Sequence, residues 1–465
     1  MGFSACTEAI SRVVMMAIRQ AGKPWPKIEG LLAATIIGGI FYCAIHVARN
    51  GYLPAPFFYE PSDTFADWFN TAYWSRKTGA YDTWGTIYPP ISFLFVRLFS
   101  IGACYPEIRP FDPSAGLDAR DCDWLALTAM PAIFAINLVL TFVMLRKLDP
   151  LTAVPRTICV ALGMPMLNAL ERGNLLMIAY TCTILAVGPF LKSARLRWIF
   201  AGLAVNFKVY LIGTFVALLL RKRWLWVEGF LISTVVIYLI SLAMFGYGTP
   251  FEIIDNIRLF SQGAPSQILD AWHSMTYSAL LSVIEVGAFP LTSIIGSRSV
   301  EFLEFWLPVI LRLTQVSILL AAAVIWYRPE LFNSYRAISL GTLMSLISAE
   351  SGMYTQIFFM IFIMTEPWKG FGRKWAICAC YVLSMPFDIA IDHLPEVPRN
   401  TYFTDSVTMI SFDISIGPLV RPLLIMSVAW AISLVTIAEL WRSGLVPFKK
   451  DQTIDKSKET VLAQA

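Results

Sequence analysis

Two aspartates in one polar segment could take a proton from a hydroxyl group. The segment runs from Glu60 to Trp74 and carries Asp63 and Asp67, four residues apart. Ser62 belongs to the residue types that cap helix N-termini, and a spacing of four places both carboxylates on one helical face. A carboxylate held beside a hydroxyl group can act as a general base. A solvated loop with a capping aspartate is the alternative interpretation.

Two further segments place charged residues next to long apolar runs. Glu171, Arg172 and Asn174 belong to a Glu-Arg-Gly-Asn turn, and Lys208 stands within the apolar segment 198–220. A charge costs about 2.5–3.5 kcal/mol at the centre of a membrane helix and less near the surface. We therefore expect Arg172 and Lys208 to bind phosphate. The alternatives are an ion pair for Arg172, helix capping for Asn174 and a snorkelling side chain for Lys208.

Polar residues between two short apolar runs are candidate contacts to a sugar. The segment that starts at Ser348 contains Glu350, Tyr354 and Gln356. Carboxylate, phenol and amide groups can all hydrogen bond to hydroxyl groups. A turn whose polar groups satisfy one another is the alternative interpretation.

The composition predicts a chain embedded in a membrane. Of its 465 residues, 57% are hydrophobic and only 15% are charged, with a mean hydropathy of +0.63. Soluble proteins carry roughly 25% charged residues. The apolar runs reach about 20 residues, enough to cross a bilayer core of about 30 Å. A net charge of +4 is too small to indicate a nucleic-acid partner.

Basic residues at the ends of the apolar runs predict the topology. Cytoplasmic loops are enriched in Lys and Arg, so we place every basic cluster and both termini in the cytoplasm of a cell inner-membrane protein. The predicted fold is an all-α polytopic bundle of about ten to twelve transmembrane or re-entrant helices. Residues 1–445 form its membrane domain, 49–123 its first periplasmic loop and 446–465 a cytoplasmic tail. The apolar runs are 30–48, 124–145, 153–169, 175–191, 224–244, 303–326, 337–349, 353–365, 375–391 and 418–441.

Residues 198–220 do not fit this topology because basic clusters flank both ends. We expect a re-entrant helical hairpin that turns near Asn206, Phe207 and Lys208. Backbone that leaves a helix at membrane depth must be buried in protein or line a cavity, so this turn is a candidate site. An ordinary crossing that violates the charge rule is the alternative.

The first outer loop contains further structural signals. Prolines before the apolar stretch Ile91–Ile101 predict a helix on or in the outer leaflet. Trp68 and Trp74 are expected to anchor the aspartate segment at the membrane interface. Cys104 and Cys122 share this loop, where an oxidising compartment would favour a disulfide. Two unpaired thiols are the alternative.

No metal or cofactor site is predicted. His46, His273 and His393 lack ligand-spaced neighbours, and no Gly-rich nucleotide motif precedes a strand. We therefore expect neither ATP nor a nucleotide sugar as substrate.

The order of several short motifs resembles one known family. They are Asp67-Trp-Phe-Asn-Thr-Ala-Tyr, Gly79-Ala-Tyr81, Ile87-Tyr88-Pro89-Pro90, Glu171-Arg-Gly-Asn174, Ala201-Gly-Leu, Lys208-Val-Tyr210 and Arg221-Lys-Arg-Trp. Together they resemble the polytopic glycosyltransferases of family 87, which are of the GT-C type. The resemblance covers roughly residues 55–370.

The resemblance implies transfer of a hexose, mannose in the best-known members, from a polyprenyl-phosphate sugar to a lipid-linked or glycan acceptor. It implies Asp67 as the catalytic base, with Asp63 as the rival. From the residues themselves we expect Lys208 or Arg172 at the donor phosphate. The expected substrate-binding residues are Tyr88, Glu171, Asn174, Glu350, Tyr354 and Gln356. The chain departs from the family pattern at Glu171-Arg172 and at Val209, which bears on the identity of the sugar and acceptor.

A transporter or flippase of a lipid-linked sugar is the main alternative function. Transporters place polar residues near the bilayer midplane and often contain repeated halves. Lys208 fits that description, whereas the acidic residues cluster in an outer loop and the sequence shows no repeat. A membrane scaffold without chemistry would leave the aspartate segment unexplained.

Overall fold

The computed structural model describes residues 27–57, 63–76, 79–105, 115–262, 291–348, 351–393, 395–401, 407–411 and 413–445. These residues are mostly helical. The helices are α1 (Lys27–Asn50), α2 (Ala66–Trp74), α3 (Pro90–Leu98), α4 (Trp124–Leu148), α5 (Ala153–Ala161), α6 (Met164–Glu171), α7 (Leu176–Val187), α8 (Ala194–Phe207), α9 (Ile212–Val216), α10 (Trp224–Phe245), α11 (Glu252–Gln262), α12 (Leu291–Ile295), α13 (Ser297–Tyr327), α14 (Ser334–Ser348), α15 (Ile357–Ile363), α16 (Phe371–Leu383) and α17 (Gly417–Leu445). Short 3-10 turns occupy Gly102–Cys104, Ala115–Asp121, Val209–Leu211, Ala217–Arg221, Pro329–Leu331 and Met353–Gln356.

Six helices within the described ranges are long and apolar enough to cross a membrane. They are Lys27–Asn50, Trp124–Leu148, Ala153–Glu171, Trp224–Phe245, Ser297–Tyr327 and Gly417–Gly444. At 1.5 Å per residue, even a 19-residue helix is about 28 Å long, close to the thickness of a bilayer core. The predominantly helical structure therefore agrees with a membrane-embedded protein.

The other four predicted crossings form shorter helices. α7 has 12 residues, α14 has 15, α15 has 7 and α16 has 13. The predicted run 375–391 is wrong at its C-terminal end, because α16 stops at Leu383 and a β-strand occupies Ala390–His393. The predicted number of crossings thus stays a prediction.

Gly163 breaks the apolar segment Ala153–Glu171 into α5 and α6. A Cβ atom at this position would lie 2.1 Å from the Cys159 carbonyl oxygen and 2.7 Å from Cβ of Ser384. The Ser384 hydroxyl donates a hydrogen bond to that same carbonyl, 2.8 Å away. The missing side chain therefore allows α16 to approach the break closely.

Residues 198–220 turn back on themselves between α8 and α10. Trp198 lies against Gly229, each in the first half of its helix. Farther along, the Asn206 amide donates a hydrogen bond to the Thr234 carbonyl, 3.0 Å away. The two helices therefore run parallel and begin at the same end, so the chain between them must return to that end. The chain therefore reverses its direction between these helices, whereas a re-entrant position in a membrane stays a prediction.

The predicted helix after the two prolines begins at Pro90 and packs against other helices. Phe93 stacks on Phe245 of α10 with ring centroids 4.9 Å apart, and Phe95 contacts Phe207 of α8 at 5.6 Å. α3 therefore connects the segment before α4 to the hairpin.

Buried ion pairs connect the first helix to later ones. Nε and Nη2 of Arg156 donate hydrogen bonds to the two carboxylate oxygens of Glu29, each 2.9 Å long, and the Tyr381 hydroxyl donates to Glu29 at 3.0 Å. Arg336 binds the Glu366 carboxylate through two hydrogen bonds of 2.6 Å. Arg156 also donates to the Glu366 carbonyl, 2.8 Å away, so the two pairs form one network.

Two small antiparallel sheets depart from the all-α prediction. β1 (Ala390–His393) pairs with β4 (Asp413–Ser415), and β2 (Val397–Asn400) pairs with β3 (Val407–Ile410). Ile410 is fully buried beside Ala55 and Tyr52, which follow α1. The sheet of β2 and β3 therefore packs near the C-terminal end of that helix.

Candidate active site

Arg172 joins the two aspartates that are candidate bases. Its Nη2 atom lies 3.2 Å from Oδ1 of Asp67, and its Nη1 atom forms an ion pair with the Asp63 carboxylate. The Asn174 amide donates a hydrogen bond to Oδ2 of Asp67, 2.5 Å away. The fold thus brings two distant polar motifs into one cluster.

Backbone hydrogen bonds fix the position of the aspartate segment relative to the Glu-Arg-Gly-Asn turn. The Phe65 N–H donates to the Glu171 carbonyl, 2.8 Å away, and the Asp67 N–H donates to the Arg172 carbonyl, 3.0 Å away. The position of the guanidinium relative to the carboxylates is therefore set by main-chain contacts as well as by the side chains.

Gly173 is the residue that allows this close approach. Its φ angle is +61°, which lies in the left-handed region that glycine adopts most readily. A Cβ atom here would lie 2.8 Å from the Met130 sulfur and 3.0 Å from Cβ of Trp68. A larger residue would therefore strain the turn and push α2 away from it.

The expectation that both aspartates share one helical face is wrong. α2 begins at Ala66, so Asp63 precedes the helix, and Phe65 at the N-cap has a left-handed φ of 63°. Ser62, the predicted cap, lies outside the described residues. The carboxylates meet because one guanidinium contacts both.

Trp68 was expected at the membrane interface, and that expectation is also wrong. Its side chain is fully buried and packs edge-on against Phe95, with ring centroids 6.0 Å apart. Trp74 is half-buried. The aspartate segment is therefore anchored by protein contacts through Trp68.

The acidic cluster remains partly accessible. The exposed fraction of the side chain is 34% for Asp63, 20% for Asp67 and 14% for Arg172. Burial lowers the pKa of Arg172, but the carboxylates of Asp67 and Asp63 outweigh this effect and raise the pKa above its ordinary value. Arg172 therefore keeps its positive charge beside the acids.

Lys208 and Tyr88 form the second part of the site. Nζ of Lys208 lies 4.8 Å from the centroid of the Tyr88 ring, a cation–π arrangement. Lys208 also interacts electrostatically with Asp67. Burial and then the Asp67 carboxylate raise the pKa of Tyr88 well above its ordinary value, so its hydroxyl group stays protonated. The two predicted cations and the aspartates therefore lie in one neighbourhood.

The structure describes two of the three predicted sugar contacts in the segment that starts at Ser348. Tyr354 lies near Asn174 and Asp67, which brings the 3-10 turn Met353–Gln356 to the cluster. Gln356 is buried in the same turn. Glu350 lies outside the described residues.

Two polar residues at the site were not among the sequence candidates. Asn168 donates a hydrogen bond from Nδ2 to Glu171, 2.8 Å away, so Glu171 has a partner within its own helix. The Tyr210 hydroxyl is buried and interacts electrostatically with Tyr354. Its place two residues after Lys208 was the signal available in the sequence.

A covalently closed loop lies beside α2. Cys104 and Cys122 form a disulfide with Cα atoms 5.5 Å apart. Within this loop, Nη1 of Arg120 donates a hydrogen bond to the Thr64 carbonyl, 3.1 Å away. The loop closed by the disulfide therefore contacts the backbone directly after Asp63.

The turn of the site lies beside α4. Gly173 lies against Met130, and the Asn137 amide donates a hydrogen bond to the Met177 carbonyl, 2.8 Å away. The turn that contains Gly173 therefore contacts α4 roughly 9 Å along a helix that begins at Trp124.

The assembled groups can abstract a proton and stabilise a phosphate. Carboxylates supply the base, and two cations and protonated hydroxyl groups can stabilise developing negative charge. Within the described ranges, no group of three or more His, Cys, Asp and Glu residues could hold a metal ion. We therefore assign no metal-binding residues.

Comparisons of the chain with protein-family models, curated proteins and solved structures return no match. The resemblance to glycosyltransferase family 87 thus rests on the short motifs alone and stays a prediction.

Proposed function

We propose that this chain is a membrane glycosyltransferase that moves a hexose from a polyprenyl-phosphate sugar to a lipid-linked or glycan acceptor. The observation that carries the proposal is one guanidinium shared by Asp63 and Asp67, with Lys208 beside them. This arrangement combines a base with cations suited to a phosphate leaving group. Mannose is the proposed sugar because the resembled family transfers it.

The proposed reaction is a single in-line displacement. The acceptor hydroxyl gives its proton to the Asp67 carboxylate while its oxygen bonds to the anomeric carbon. The bond from that carbon to the phosphate oxygen breaks, and the polyprenyl phosphate leaves with the electron pair. Attack from the face opposite the leaving group inverts the anomeric configuration. Asp67 is preferred over Asp63 because it also contacts Asn174 and lies near Lys208.

The cations have separate proposed roles. Lys208, beside the aromatic face of Tyr88, contacts the donor phosphate and offsets its growing charge. Arg172 orients both carboxylates through its planar guanidinium. The hydroxyl of Tyr354 and the amides of Asn174 and Gln356 hydrogen bond to the sugar. Tyr88 and Glu171 complete the proposed substrate contacts.

The proposed site faces the periplasm in the cell inner membrane, with both termini cytoplasmic. The positive-inside pattern of basic clusters supports this orientation. The disulfide between Cys104 and Cys122 supports it as well, because disulfides persist outside the cytoplasm.

A transporter of a lipid-linked sugar is the second candidate function. The hairpin with Lys208 at its turn favours it, because transporters use interrupted helices near buried ligands. A transporter does not need a base, however, and the paired aspartates have no evident role in it.

Sugar transfer by the purified protein tests the proposal. We would incubate wild type and the Asp67→Asn, Asp63→Asn and Asp121→Asn variants with radiolabelled polyprenyl-phosphate mannose and a membrane lipid extract as acceptor. Asp121 is the matched control because it is an exposed acid in the same outer segment. Removing a general base lowers the rate by about 10²–10⁴-fold.

We expect this loss in Asp67→Asn and wild-type kcat in Asp121→Asn. Full activity in both Asp67→Asn and Asp63→Asn would reject the proposed base. No transfer by wild type, with intact donor moved across the bilayer, would favour the transporter.

A further inference from the structure

The Tyr210 hydroxyl is a buried donor without a partner. Its oxygen atom is shielded from solvent and has no hydrogen-bond partner among the residues that the structure describes. A buried polar group left unpaired costs about 1–3 kcal/mol, so such a group needs an explanation. A bound ligand that accepts a hydrogen bond from this hydroxyl would provide one.

The surroundings of Tyr210 indicate which ligand would fit. Tyr210 lies near Tyr88 and Tyr354, and Tyr88 covers the Lys208 ammonium group. The ring of Tyr210 packs edge-on against Phe358, with centroids 6.2 Å apart, which orients the phenol. The hydroxyl thus lies near two other phenols on the Lys208 side of the site.

The local backbone ties Tyr210 to Lys208. The 3-10 turn Val209–Leu211 follows directly after α8, and the Leu211 N–H donates a hydrogen bond to the Lys208 carbonyl, 3.0 Å away. Both side chains therefore start from one hydrogen-bonded turn of the hairpin, two residues apart.

We propose that the Tyr210 hydroxyl and the Lys208 ammonium group together bind a phosphate oxygen of a polyprenyl phosphate. This inference rests on the proposed donor class and adds a residue to it. Hydrogen bonds to an anionic oxygen are roughly twice as strong as neutral ones, so an anion satisfies the unpaired phenol better than a sugar hydroxyl. Removal of the Tyr210 hydroxyl should then weaken the binding of polyprenyl phosphate.

Tyr210→Phe removes only this hydroxyl, and Tyr180→Phe is the matched control. Tyr180 is fully buried, and its hydroxyl already bonds to the Thr141 hydroxyl, 2.8 Å away. We would measure thermal unfolding in detergent, and the Kd for a polyprenyl monophosphate without sugar and for inorganic phosphate. An unrelated alkyl sulfate controls for detergent-like binding.

We expect opposite effects in the two variants. Tyr210→Phe should keep or raise the Tm of the ligand-free protein and weaken polyprenyl phosphate binding by about tenfold, the effect of one charge-assisted hydrogen bond. Tyr180→Phe should lower the Tm and leave the Kd unchanged. If Tyr210→Phe also weakens the binding of inorganic phosphate by about tenfold, the hydroxyl recognises the phosphate group and not the polyprenyl chain.

Two results would overturn the inference. One is an unchanged Kd in Tyr210→Phe, and the other is a wild type that binds neither phosphate probe. Sugar transfer measured in parallel separates this inference from the proposed function. Wild-type KM and kcat in Tyr210→Phe would reject the role of Tyr210 alone, whereas no transfer by wild type would reject the enzyme.

Discussion

At the residue scale, Arg172 decides the geometry of the site. Its guanidinium contacts Asp63 and Asp67, while its backbone carbonyl accepts a hydrogen bond from the Asp67 N–H. A planar fork can hold two carboxylates at fixed positions, whereas an ammonium group acts as a point charge. Orientation of the base therefore depends on the shape of this side chain as well as its charge.

Arg172→Lys should lower kcat/KM for sugar transfer by about 10–100-fold, because the loss of one or two charge-assisted hydrogen bonds misaligns the base. Arg328→Lys is the control, since Arg328 forms an exposed pair with Glu330 and such pairs contribute little. Equal kcat/KM in both variants would contradict the orienting role.

Gly173→Ala should reduce the free energy of unfolding by at least about 1–2 kcal/mol, the cost of a left-handed non-glycine residue. The contact of the new methyl group with Met130 adds to this cost. Gly38→Ala is the control, because a Cβ there meets nothing within 4 Å. Thermal unfolding of both variants measures the difference, and an equal Tm would show that the turn relaxes freely.

The sequence identified the charged residues of the site but could not show how they meet. Residue type and apolar context single out Asp67, Arg172 and Lys208, because charges next to membrane helices are costly. Their contacts depend on tertiary packing. The left-handed conformation of Phe65, which displaces Asp63 from α2, carries no local signal because non-glycine residues rarely adopt it.

At the scale of elements, α11 braces the loop that carries Tyr88. The Asn256 amide on α11 donates hydrogen bonds to the carbonyls of Tyr81 and Thr86, 2.9 and 3.0 Å away. The Tyr81 hydroxyl in turn donates to the Tyr88 carbonyl, 3.0 Å away. One helix side chain therefore holds the loop whose tyrosine covers Lys208.

Asn256→Ala should increase amide hydrogen exchange across residues 80–88 and raise KM for the donor, because it leaves two backbone carbonyls unpaired. Asp255→Asn, an exposed change on the same helix, should alter neither quantity. If amide hydrogen exchange in residues 80–88 stays at the wild-type rate in Asn256→Ala, the Asn256 hydrogen bonds do not stabilise this loop.

Residues 198–220 and the strands after α16 show which elements the sequence pattern could and could not predict. The hairpin of residues 198–220 follows from basic clusters at both of its ends, since these clusters belong on one side of a membrane. The first β-strand after α16 was missed because its residues Ala390 and Ile391 end an apolar run. Apolar periodicity alone does not distinguish a short strand from the end of a helix.

At the scale of the whole molecule, buried ion pairs connect the first helix to the rest. Arg156→Met should lower the free energy of unfolding by about 3–5 kcal/mol, because it leaves the Glu29 carboxylate buried without its cation. The Glu29→Gln, Arg156→Met double variant should lose less than the sum of the single variants. Additive losses in thermal unfolding would show that the pair is not coupled.

The account depends most on whether the protein breaks the bond between sugar and lipid phosphate. Mass spectrometry of the lipid fraction from proteoliposomes loaded with polyprenyl-phosphate mannose measures this directly. We expect one free polyprenyl phosphate for each sugar transferred by wild type, and almost none in Asp67→Asn. Intact donor lipid that changes leaflets without cleavage, equally in both proteins, would contradict the account.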